Sequence, residues 1–145
     1  MKVTVYVEVR PTEDLEKVKK ALLNVFTPDE LKIEEQSGKK YLVGFGYSYH
    51  CLVKLQNLIK VQGIEDSARL VFSRGIISEN RIVFHLNKQA AYVGVLSFAT
   101  IESESPLGPI TFIIETNNVR QLIDWLSPKT LKGKRLYEVK PPEDP

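Results

Sequence analysis

The chain is short of the residues from which most active sites are built. Its 145 residues hold one cysteine, two histidines, one methionine and one tryptophan. A lone thiol, Cys51, forms neither an internal disulfide nor a cysteine-based zinc cluster, so the fold needs no oxidising compartment. His50 and His85 have neither an H-x-x-x-H spacing nor a C-x-x-C partner, which excludes the common zinc motifs. Although His50 adjoins Cys51, neighbours on a helix project about 100° apart and make no nucleophile–base pair. Gly44-Phe45-Gly46 opens like a dinucleotide fingerprint but lacks its third glycine, and no Walker lysine follows any glycine-rich loop. That segment reads as a strand-to-helix turn. Together these gaps predict no catalytic residues, no metal and no cofactor.

Long hydrophobic runs are missing too. The most apolar stretch, Ala90 to Ile101, is broken by Gly94, Ser97 and Thr100. It falls well short of the roughly 20 apolar residues that cross a membrane. The amino terminus alternates (Val3, Val5, Val7, Val9) instead of forming the uninterrupted core of a signal peptide. The expectation is a cytoplasmic protein with no membrane partner. Charge of neither sign dominates: 20 Lys and Arg face 18 Asp and Glu, a formal charge of +2. Such a balance excludes an indiscriminate polycation of the histone or basic-arm type.

What is present is a succession of short amphipathic elements. The valine alternation predicts a first strand, and Thr12 an N-cap for a helix carrying Leu15, Val18, Leu22, Val25 and Phe26. Lys17, Lys19 and Lys20 fall on the solvated face of that helix. Two strands around a Ser37-Gly38 turn follow, then a helix capped by Ser48 with Leu52, Leu55 and Ile59 on its buried stripe. Gly63 suits the left-handed position after it, and a third helix carries Ile64, Ala68, Val71 and Phe72. Three strands are predicted next, Arg81–Leu86, Tyr92–Ile101 and Ile110–Glu115, before a last helix capped by Asn117 or Asn118. The pattern predicts one α+β domain over residues 1–128, a largely antiparallel sheet with helices packed on one face. Residues 129–145 read as a tail, first basic and then proline-rich, with the flexibility of a chain end.

The distribution of charge is more informative than its sum. Residues 1–40 carry eight basic and eight acidic side chains, whereas residues 50–100 carry six basic against three acidic. Residues 129–135 add four basic residues and no acid. Lys54, Lys60, Arg69, Arg74, Arg81 and Lys88 are therefore the candidate phosphate-binding residues of a local RNA-binding surface. The alternative for this region is a solvated face with Asp66 and Arg69 paired three apart. Asn87-Lys88-Gln89 is an unusual run between two apolar stretches. Asn87 and Gln89 are placed near bases or sugars, and Lys88 is expected to project outward. Tyr6, Arg10, Arg81 and His85 share the sheet face opposite the helices, where aromatic and basic groups stack bases and meet phosphates. Glu102 and Glu104 lie in a loop that Pro106-Leu107-Gly108-Pro109 stiffens.

Several segments carry a family resemblance. They are Pro11-Thr12-Glu13-Asp14 with Lys17-Val18-Lys19-Lys20, Ile64-Glu65-Asp66-Ser67-Ala68-Arg69 and Leu86-Asn87-Lys88-Gln89-Ala90-Ala91, then Ser105-Pro106-Leu107-Gly108-Pro109-Ile110 and Ile123-Asp124-Trp125-Leu126-Ser127-Pro128. By these the chain resembles the archaeal uncharacterised protein family numbered 0201, with Gly63 and Ser127 standing where relatives often carry arginine and alanine. The resemblance implies a fold similar to the ribosomal protein that binds 5S ribosomal RNA, and hence RNA as a partner. The competing expectation is a homodimeric interaction module with no nucleic-acid role, joined through Tyr6, Val83 and Ile113 on the sheet face.

Overall fold

The computed structural model describes residues 1–99, 108–131, 134–135 and 139–142. Strand β1 (Lys2–Val9) lies in the middle of the sheet, and its alternation sends Val3, Val5, Val7 and Val9 into the core. It pairs antiparallel with β3 (Lys39–Gly46) on one side and β7 (Pro109–Glu115) on the other. Beyond β3 lies β2 (Glu30–Gln36); beyond β7 lie β5 (Arg81–Asn87) and β4 (Ile76–Ser78). The order is β2-β3-β1-β7-β5-β4, with β6 (Phe98–Ala99) also pairing to β5, and every pairing is antiparallel. The β2–β3 hairpin turns through Ser37 and Gly38, whose φ values of 52° and 79° supply the twist of a two-residue loop.

One face of the sheet is apolar and carries the helices. Leu42, Ile82, Phe84, Leu86, Ile110, Phe112 and Ile114 join the β1 valines there, all buried. Phe84 stacks on Phe112 at 5.0 Å, and Phe26 meets Phe112 edge-on at 5.7 Å. Over this face pack α1 (Leu15–Val25), α2 (Val53–Gln62), α3 (Glu65–Arg74) and α5 (Val119–Leu126). Helical spacing of Val18, Ala21, Leu22 and Val25 in α1, and of Val119, Leu122, Ile123 and Leu126 in α5, buries one stripe of each. Gly63 is left-handed at φ 65°, and Asn118 caps α5 by accepting from the Gln121 N–H at 3.0 Å. The α+β class, with an antiparallel sheet and helices on one face, is as the sequence predicts.

Three local expectations give way. Asp14, not Thr12, caps α1, its carboxylate accepting from the Glu16 N–H at 3.0 Å. Ser48 precedes a 3-10 turn (Tyr49–Leu52) rather than α2 itself and makes no side-chain cap bond. The larger change is in the strand expected over Tyr92–Ile101. Asn87 accepts from the Ala90 N–H at 2.9 Å and starts a short helix, α4 (Lys88–Tyr92), directly at the end of β5. A local cap followed by two alanines outcompetes strand alternation there. Of the expected strand, only Phe98–Ala99 pairs, and Thr100 and Ile101 lie outside the described residues.

After Pro128, Thr130–Leu131 (β8) and Lys134–Arg135 (β9) pair with each other. Thr130 donates to Asp66 at 3.0 Å, the Lys140 carbonyl accepts from Gln121 at 3.2 Å, and Val139 packs on the core. Lys132, Glu102, Glu104 and Ser105-Pro106-Leu107 lie outside the described residues. No helix among the described residues is long and apolar enough to cross a membrane.

Candidate nucleic-acid interface

The eight predicted site residues do not share one surface. Lys60 and Arg74 stand exposed in the last turns of α2 and α3, and Gln89 is exposed on α4. Lys54 is exposed as well, and its ammonium donates to the Leu23 carbonyl of α1 at 2.7 Å. Arg81 lies on the opposite face of the sheet, paired with its cross-strand neighbour Glu115. Tyr6 and His85 are on that face too, in one row across Thr111, whose hydroxyl is 2.9 Å from His85 Nδ1. Asn87 is occupied in capping α4.

Two of the predicted cations are structural. Lys88, expected to project outward, is 3% exposed. Its ammonium donates to the Glu8 carbonyl at 2.9 Å and to the Glu13 carboxylate at 2.9 and 3.1 Å, and that carboxylate also accepts the Arg10 N–H at 3.0 Å. Because α4 begins directly after β5, its first residue turns back over β1 instead of facing solvent. Arg69 pairs with Asp124 at 2.7 Å and donates to the Ser127 carbonyl at 2.9 Å, fastening α3 to α5. The Asp66–Arg69 pair is therefore not formed; Asp66 receives Thr130 instead.

Sequence reasoning passed over the groove between α1 and α4. Asn24 locks the two helices together, donating to the carbonyls of Ala91 at 2.8 Å and Tyr92 at 3.2 Å. A cavity of about 310 Å³ opens beside them. Exposed Thr12, Asp14, Lys17 and Gln89 and the paired Glu13 and Lys88 line it, together with apolar surface from Val18, Ala21 and Tyr92. Lys20 holds its ammonium 4.8 Å from the Tyr92 ring centroid, a cation–π contact. The groove thus combines cationic side chains, an aromatic plane and an amide able to donate and accept, with the Asp14 carboxylate, the α1 cap, at its end. Lys17 and Lys20 read as an ordinary solvated face because α4, which forms the other wall, is hidden within an apolar run.

Nucleophilic chemistry finds little support at Cys51. Its Sγ is buried and donates to the Ser48 carbonyl at 2.9 Å. Burial, aided by the negative charge of Asp29, pushes the thiol up to about 12. His50 is exposed and lies against the Tyr49 ring at 4.1 Å. No group of three His, Cys, Asp or Glu able to hold a metal ion occurs among the described residues.

A family model described as RNA binding matches residues 2–116. The UPF0201 protein of Pyrobaculum islandicum is 54% identical over 143 residues, covering 99% of this chain and 100% of the relative. This chain belongs to the UPF0201 family. The UPF0201 protein of Aeropyrum pernix is 42% identical, with 99% of this chain and 95% of the relative covered. The crystal structure of the UPF0201 protein from Methanococcus jannaschii superposes with a TM-score of 0.82 at 34% identity, covering 94% of this chain and 100% of that one. Four of the five segments that carry the UPF0201 resemblance meet in two pairs in this chain. Glu13 of the first holds Lys88 of the third, and Arg69 of the second holds Asp124 and Ser127 of the last.

Proposed function

We propose that this chain is an RNA-binding domain of the cytoplasm that receives a single strand across its helical layer. The observation that carries the reading is the family model described as RNA binding, which spans residues 2–116. The α1–α4 groove supports it. In this reading Lys17, Lys20 and Lys54 meet phosphates beside the groove, with Lys60 and Arg74 extending the track. Tyr92 offers a ring face to an unstacked base, and Gln89 bonds to its edge. Lys88, Asn87 and Arg69 act from behind by fixing α4 and α5, and Arg81 stands apart on the other face of the sheet. The likeness to the ribosomal protein that binds 5S ribosomal RNA belongs to the same reading; the antiparallel sheet with helices on one face supports it.

The test is fluorescence anisotropy with a short labelled single-stranded RNA, titrated between about 50 and 200 mM salt. Affinity is expected to fall steeply with salt. The Lys17→Ala, Lys20→Ala pair is expected to reduce the log–log slope by about 1.4, the share of two single-strand phosphate contacts. Absence of binding at low salt would end the RNA reading. Binding with an unchanged slope in that variant would move the site away from the groove.

A further inference from the structure

The two sides of the sheet end differently. On the β5 side, the edge is divided between β4, three residues with an irregular register, and the short β6. Short and irregular edges of this kind resist pairing with other chains. On the opposite side, β2 runs for seven residues without glycine or proline, paired to β3 on one flank and to no described strand on the other. Its central residue, Ile33, faces Leu42 across the ladder on the helix-bearing side, yet remains 47% exposed.

Charge on an edge strand protects it when a second copy would set like charges opposite each other. On the outer face of β2 the charges of Glu30, Lys32 and Glu34 alternate in sign instead, while Glu35 stands on the other face. Lys32 and Glu34 lie on the outer face with Nζ and Oε1 3.6 Å apart. Two copies joined edge to edge are related by a two-fold axis perpendicular to the sheet, so each residue opposes one from the same face. The axis must then pass through a residue position. Centred on Ile33, the register engages the whole strand and sets Lys32 opposite the partner's Glu34, twice by symmetry, with Ile33 against its own copy, Leu31 against Glu35 and Glu30 against Gln36. Moved one residue back, it sets Lys32 against Lys32 and Glu30 against Glu34. Moved one residue forward, it sets Glu34 against Glu34 and leaves Lys32 against uncharged Gln36. Of these registers, only the one centred on Ile33 is electrostatically complementary.

We propose that β2 is a homodimer interface, where a second copy of this chain pairs antiparallel about Ile33 to form one sheet continuous across both subunits. Main-chain hydrogen bonds along the open edge provide the attachment. Ile33 loses its exposure, and the Lys32–Glu34 pairs fix the register. The inference is independent of RNA.

Sedimentation equilibrium of the full chain tests it, with circular dichroism confirming that each variant is folded; both altered side chains are solvent-facing. The wild-type chain is expected to be dimeric. Glu34→Lys alone and Lys32→Glu alone each set like charges opposite one another, and each is expected to raise the dimer dissociation constant by about tenfold or more. Combining Lys32→Glu with Glu34→Lys is expected to restore the dimer. A monomeric wild-type chain overturns the proposal. So does a dimer indifferent to the single exchanges, or one that the combined exchange fails to restore.

Discussion

Lys88 gives up water for a carboxylate, a backbone carbonyl and almost complete burial. Removing one member of such a pair strands the other as an uncompensated buried charge, and this asymmetry sets the size of the effect. Lys88→Ala is expected to lower unfolding stability by about 3–5 kcal/mol in urea titrations. Gly75 is constrained in another way. A Cβ there would lie 2.2 Å from the Val83 carbonyl oxygen, while the Gly75 carbonyl accepts from the Val83 N–H at 2.9 Å. Gly75→Ala therefore forces the end of α3 away from β5 and is expected to cost at least about 2 kcal/mol in the same measurement. Cys51 adds a dependence on pH. Its thiol stays protonated up to about 12 in the fold against an ordinary 9.0. Above the ordinary value the unfolded chain holds fewer protons than the folded one, so stability drains away as pH rises from about 9 towards 12. Comparing wild type with Cys51→Ala in urea at pH 7 and pH 10 isolates this slope, which is expected in the wild type and reduced in the variant.

Among the elements, those with uninterrupted periodicity were legible from the chain. The valines of β1, the stripes of α1 and α5 and the Ser37-Gly38 hairpin each obey one local rule that tertiary packing then reinforces. Helix α4 was not legible, because Asn87 starts it within a run whose alternation and apolar character match a strand. Nor was the Lys88–Glu13 contact, whose partners stand 75 positions apart and meet only once β5 and β1 share a sheet. The groove beside α1 was lost with α4. The cap is accordingly the point at which to perturb this region: Asn87→Ala is expected to cost about 1 kcal/mol. Arg69→Ala should act on a different element. Without its bonds to Asp124 and the Ser127 carbonyl, α5 is expected to exchange its amide hydrogens faster over residues 119–128 while β1 keeps its protection. Equal acceleration in both would mean that the bridge supports the whole domain and not α5 in particular.

For the molecule as a whole, near-neutrality conceals a division of labour among its cations. Some are consumed in structural pairs: Lys88, buried, on Glu13 and Arg69, half-buried, on Asp124. Others stay at the surface, as Lys17, Lys20, Lys60 and Arg74 do. Net charge cannot separate these groups, which explains why the sequence assigned Lys88 and Lys60 to the same task. Binding measurements should separate them. Lys60→Ala or Arg74→Ala is expected to reduce the salt slope of RNA binding by about 0.7 each, whereas Arg81→Ala on the other face of the sheet should leave it unchanged. An edge-paired dimer, having its two-fold axis perpendicular to the sheet, would turn both helical layers to the same side and present two grooves to one strand. The buried and half-buried ion pairs also bear on how the fold answers heat. Water's hold on a charged group weakens as temperature rises, so the penalty for withdrawing lysine and glutamate from solvent shrinks on warming. The Lys88–Glu13 tie between α4 and the start of α1, and the Arg69–Asp124 tie between α3 and α5, therefore gain in relative worth as the hydrophobic contribution levels off. These helices are fastened by contacts whose relative weight grows as the temperature rises.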